Sequence, residues 1–184
     1  MDDWGKWRLN FLMSFEAAKL EARRLLPQMP EEIFRLWLDG RIEANGWPPF
    51  GSIWENTLRN HPLPVWQCFQ WKKEMLRLNL DNLSPATLEI VCGLARAYTD
   101  NIQNAYTIYV EDSHERFALI ENYMRQHQQL PSTLIFLTDK STFDVVDGCH
   151  RLAVFFSWRN NPEFRDLISG SQIAWVGYES DGGQ

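Results

Sequence analysis

Residues 145–156, VVDGCHRLAVFF, hold the backbone of this chain to one course. Two β-branched residues lead into Asp147-Gly148, a turn pair, and an apolar run at helical spacing follows at once. The segment reads as strand, tight turn, helix, with Cys149, His150 and Arg151 in the first helical turn. Backbone N–H groups there have no intrahelical partner, and the helix dipole adds partial positive charge. Gly148 lets a ligand approach the backbone, His150 can donate from a ring nitrogen, and Arg151 can grip a phosphate through two hydrogen bonds. Such a turn is suited to an anion, above all a nucleotide phosphate. Asp147 adds a condition. A carboxylate beside a phosphate is useful when it holds Mg²⁺ or takes a proton from an attacking hydroxyl, which points to metal-assisted phosphoryl transfer. The plain alternative is structural: Asp147 caps the helix and Arg151 pairs with Glu179 or another carboxylate.

The flanking residues suggest a compact α/β unit. Residues 106–110 (YTIYV) are β-branched and aromatic and predict a strand. Asp112 or Ser113 then caps a helix to about residue 128, with Phe117, Ile120 and Met124 on its inner face. Leu130-Pro131 ends it. Residues 134–137 (LIFL) and 142–146 predict strands, 149–158 a helix, 162–168 a helical turn and 173–178 (IAWVGY) a last strand.

The residues before this unit read as mostly helical. An amphipathic helix over 3–26 closes at Pro27 and Pro30; Glu31 and Glu32 open a second, which Asp39-Gly40 stops. A turn-rich loop over 44–52 and a short helix over 54–58 follow, and residues 65–78 are helix-compatible. Ser84-Pro85 starts a helix reaching about Tyr98. The expectation is an α+β chain: a Trp-rich helical region over 1–104, then an α/β unit over 105–184 with a small mixed sheet.

Composition removes several function classes. The net charge of −6 argues against a nucleic-acid partner, which needs a clustered basic face. Cys68, Cys92 and Cys149 lack CxxC spacing, so neither a disulfide framework nor a zinc site is expected. His61, His114, His127 and His150 show no metal-ligand spacing, and no GxGxxG, Walker A or GxSxG string occurs. No apolar run suggests a signal peptide or a membrane span, so a cytoplasmic address is expected. Of the nine tryptophans, several are expected to pack a core, the alternative being a sugar-stacking or base-stacking platform. The mixture of Trp66, Phe69 and Trp71 with Lys72 and Lys73 reads as a core face with a solvated edge rather than a base-stacking surface.

The 147–151 turn resembles that of the ParB/sulfiredoxin superfamily, whose members carry a helix, a short strand and then a strand–turn–helix with a phosphate-binding motif. Residues 106–178 follow that plan. The stretch 117–137, a helix leading through a proline into a strand, looks ParB-like. VVDGCHRLA is similar to the DGxHR turn of many ParB-like proteins and of the superfamily's free-serine kinases.

The resemblance implies a nucleotide (ATP, ADP or CTP) with Mg²⁺. Gly148, Cys149, His150 and Arg151 would hold the phosphates, and Asp147 would be metal ligand or base. Glu111 or Asp112 would assist from the loop after the first strand. The implied activity is that of a phosphotransferase or nucleotide hydrolase, with a small molecule or protein as phosphoryl acceptor.

Its branches differ. Gly148-Cys149-His150-Arg151 reproduces the end of the sulfiredoxin G-G-C-H-R motif, implying ATP-dependent thiol chemistry through an acidified Cys149. Asp147 and the helical N-terminal half depart from that branch. In the ParB motif G-E-R-R, Cys149 stands at the metal-binding Glu and His150 at the first Arg. The serine-kinase-like branch accommodates Asp147 best. Outside enzymes, the unit reads as a nucleotide-sensing or degenerate binding module, with the Trp-rich half docking a protein partner. An Arg151 locked in an internal salt bridge favours that reading.

Overall fold

A computed structural model of the chain describes residues 14–47, 61–108, 110 and 112–179. The start of the 3–26 helix, the 54–58 helix, Glu111 and the end of the 44–52 loop lie outside the described residues. The fold is α+β with a helical N-terminal half and a small mixed sheet, as patterning predicts. The described residues divide into two compact units: residues 14–71 with 177–179, and Lys72–Val176.

In the first unit, Ser14 caps α1 (Phe15–Leu25) by accepting the Ala17 N–H at 3.3 Å. Helix α2 covers residues 31–45 and includes a π-helical stretch over Phe34–Leu38. Asp39-Gly40 therefore does not stop it. Asp39 accepts Arg23 at 3.2 Å and lies 3.6 Å from Lys19, a tie to α1 that holds the helix past Gly40. Gly46, at φ 75°, ends it instead.

The described tryptophans of this unit pack, as expected. Trp47 and Trp66 are fully buried, and Trp37 and Trp71 both stack on Trp66, at 4.9 and 6.1 Å between ring centroids.

The helix expected over 65–78 is not there. A short α3 (Leu63–Trp66) gives way to strand β1 (Phe69–Arg77). Strand β1 neighbours β4 (Ser171–Glu179), and this pairing overrides local helix propensity.

In the second unit, Ser84 caps α4 (Pro85–Asp100), as Ser84-Pro85 predicts. The strand expected over 106–110 is replaced by turns at residues 105–108, because Asn104 captures the segment. Its Oδ1 accepts the Tyr106 N–H at 2.9 Å, its backbone N–H reaches the Thr107 hydroxyl at 2.9 Å, and its Nδ2 donates to Gly93 O on α4 at 2.7 Å. Helix α5 (Ser113–His127) follows, with Phe117, Ile120 and Met124 buried as predicted.

Strands β2 (Leu134–Thr138) and β3 (Phe143–Asp147) pair antiparallel, Phe136 opposite Val145, with an irregularity between Ile135 and Phe136. The sheet order is β1-β4-β2-β3. Helix α6 (Cys149–Asn160) buries Leu152–Phe156 and Trp158 against α4 and α5. Thr87 fixes α4 to β3: its hydroxyl donates to Asp144 at 2.6 Å and accepts the Val145 N–H at 3.0 Å. Residues 72–104, grouped with the helical half in the sequence, thus pack in this second unit. Among the described residues no helix is long and apolar enough to cross a membrane.

Candidate functional site

The strand–turn–helix expected at 142–158 is present, and its turn depends on Gly148. Its φ is +120°, and a Cβ there would stand 2.4 Å from Leu134 Cδ2. Through this turn β3 ends at Asp147 and α6 starts at Cys149. The first backbone bond of α6 runs from Leu152 N to Gly148 O, so the N–H groups of His150 and Arg151 precede the helical ladder.

Arg151 lies one helical turn after Asp147 and is turned inward. One terminal nitrogen donates to Asp147 Oδ2. The other donates to Ser132 Oγ at 2.5 Å, to Thr133 O at 3.0 Å and to Pro131 O at 3.3 Å. The Arg151 side chain is 10% exposed and that of Asp147 36%. Arg151 thus clasps the 131–133 loop to the turn. The loop partners were not legible from sequence: they lie 18–20 residues away, and no local pattern announces them.

His150 faces α5. Its Nε2 is 3.4 Å from Ser113 Oγ, and its ring packs on Phe117 at 5.2 Å between centroids. Burial holds the imidazole below its usual pKa, the Arg116 charge acts in the same sense, and Asp112 and Asp147 oppose them. Ser113 is buried at the first position of α5. Asp112 precedes it and pairs with Arg116 at 2.8 Å on the surface. That hydrogen bond holds the Asp112 carboxyl below the usual carboxylate range.

The N-termini of α5 and α6 therefore meet at Ser113 and His150. Of the expected residues, the structure gathers Asp147, Gly148, Cys149, His150 and Arg151 with Asp112, while Glu111 lies outside the described residues. Cys149 is half-buried and in no disulfide.

The arrangement offers hydrogen-bond donors to an anion. Two helix N-termini, a histidine and Arg116 contribute donors or positive charge. Among the described residues no three His, Cys, Asp or Glu side chains cluster as a metal site. One oxygen of Asp147 already accepts from Arg151. The carboxylates that these residues offer a Mg²⁺ ion are Asp147 and Asp112, and such an ion completes its shell with water and phosphate oxygens.

No protein-family model, curated protein or solved structure matches the chain.

Proposed function

We propose that the adjoining N-termini of α5 and α6 bind the phosphate end of a nucleotide, and that this ParB/sulfiredoxin-like unit senses the nucleotide without transferring its phosphoryl group. The supporting observation is the position of Arg151. A phosphotransferase of the expected kind needs Arg151 on the phosphates and Asp147 on a metal or a proton; here the two side chains engage each other. The donors left for an anion are the His150 and Arg151 backbone N–H groups, the His150 ring and Arg116. The Asp112–Arg116 pair is about half exposed on both sides, so releasing Arg116 to a phosphate costs little. The reading supposes a cytoplasmic protein in contact with the nucleotide pool.

Calorimetric titration of ATP, ADP and CTP, with and without Mg²⁺, paired with a phosphate-release assay, tests it. The expected result is binding that does not require Mg²⁺, is at least ~10-fold weaker in His150→Ala, and shows no turnover. Failure of all three nucleotides to bind at millimolar concentration removes the reading.

Phosphoryl transfer keeps one supporting observation: the Asp147 side chain is 36% exposed, so a carboxylate oxygen reaches solvent. Mg²⁺-dependent phosphate release, lost in Asp147→Asn, would establish that alternative.

A further inference from the structure

A cavity of about 770 Å³ opens where the C-terminal end of α5 meets the 131–133 loop and the start of β4. None of the twelve residues lining it is Asp, Glu, Lys or Arg. In a chain that is 23% charged, such a lining is uncommon and sets the ligand chemistry.

The lining is instead rich in hydroxyls used on one side only. Tyr123 Oη accepts the Gln129 side-chain amide at 3.4 Å, Ser132 Oγ accepts Arg151 at 2.5 Å, and Ser169 Oγ accepts the Ser171 N–H at 3.2 Å. Each hydroxyl therefore keeps its own proton to donate, and no acceptor for it occurs among the described residues. Thr133 and Ser171 bring the hydroxyls of the lining to five. Buried Gln172 ties two sides of the lining together: it accepts the Leu130 N–H at 3.4 Å and donates to Ser169 O at 2.8 Å. Met75 and Ile173, 62% and 50% exposed, supply an apolar edge.

The ligand must offer several uncharged acceptor oxygens and an apolar face. An anion finds no cationic side chain in the lining, since Arg151 reaches only the back of Ser132. An apolar ligand leaves the hydroxyls desolvated and without partners. A sugar meets both demands: each of its hydroxyls accepts and donates, and its C–H face is apolar. The volume falls in the ordinary range for small-molecule sites, roughly 300–1,000 Å³. We infer that this cavity is a binding site for a neutral saccharide of one or two rings, separate from the α5–α6 phosphate site.

The test uses the full chain, amide NMR shifts and four probes: glucose, maltose, N-acetylglucosamine and N,N′-diacetylchitobiose. A capped neutral tripeptide and inorganic phosphate serve as comparators. At least one sugar is expected to shift amides of residues 128–133 and 169–173 saturably. Its affinity should fall about 10-fold in Tyr123→Phe and in Ser171→Ala. Both variants change a single hydroxyl, and their thermal unfolding is followed to establish that they remain folded. No saturable shift with any sugar at about 20 mM overturns the proposal. So does equal affinity in both variants, or a response to the peptide or phosphate alone. Nucleotide binding at α5–α6 is measured on the same samples, so that each site stands or falls by its own result.

Discussion

Arg151 closes on Asp147 from one helical turn ahead, and its second terminal nitrogen holds three oxygens of the 131–133 loop. Removing the guanidinium strands the Asp147 carboxylate and two backbone carbonyls at once. Arg151→Ala is therefore expected to lower stability by about 3 kcal/mol, the low end for breaking a buried pair, because Asp147 is 36% exposed. Asp147→Asn keeps an acceptor for Arg151 and should cost about 1 kcal/mol. Urea unfolding of the two variants measures the difference. A stable Arg151→Ala protein would mean that the side chain is available for ligand.

Gly148 allows this geometry. Alanine at φ +120° is strained, and its Cβ would meet Leu134 Cδ2 at 2.4 Å and Arg151 Nη2 at 3.2 Å. Gly148→Ala should cost about 2 kcal/mol or more, which in a chain of this size lowers Tm by several degrees, at roughly 2–4 °C for each kcal/mol. Differential scanning calorimetry reads it directly. An unchanged Tm would show that the turn relaxes without loss.

The pH dependence follows from His150. Its folded pKa lies below the unfolded value, chiefly through burial, so the folded protein takes up this proton less readily. The stability that the neutral imidazole contributes is complete above the unfolded pKa of about 6.5 and is lost as pH falls through the folded value. Stability should therefore decline between pH 7.5 and 5, and His150→Gln should flatten that slope. Phosphate bound beside His150 favours the imidazolium, so nucleotide affinity should rise as pH falls over the same range. Urea unfolding and calorimetric binding at several pH values check the two opposite trends.

What the sequence disclosed was local. The path from Leu134 through the Asp147-Gly148 turn to Trp158 was legible because apolar runs and a turn pair follow one another within a few residues. Ser84-Pro85 announced α4 for the same reason. The missed features all depend on distant partners. Strand β1 neighbours β4, about a hundred residues on, and Asp39 continues α2 through Arg23 on another helix. At the site, DGCHR was readable as a helix start. Whether Arg151 faces a ligand or the 131–133 loop depends on residues that the motif does not contain.

The segment YTIYV makes the same point in a form that mutation can test. Its residues favour a strand, yet Asn104 holds residues 105–108 in turns by bonding the Tyr106 N–H, the Thr107 hydroxyl and Gly93 O. The Asn104 side chain makes two of these bonds, one to its own turn and one to α4. Asn104→Ala leaves the Tyr106 N–H without its partner, removes the side-chain bond that Gly93 O accepts beside its helical one, and should cost about 1 kcal/mol. Gly93 supplies the matching surface: a Cβ there would lie 2.2 Å from the Tyr106 ring. Gly93→Ala should thus displace Tyr106 and break its hydrogen bond to Glu89, now 2.6 Å long. The Tyr106 hydroxyl is held above its ordinary pKa chiefly by that bond, so ultraviolet titration of the tyrosines should show one phenol ionising earlier in Gly93→Ala. An unaltered titration, together with unaltered stability in Asn104→Ala, would mean that the segment is not held by α4 and that the turn at 104–107 stands on its own.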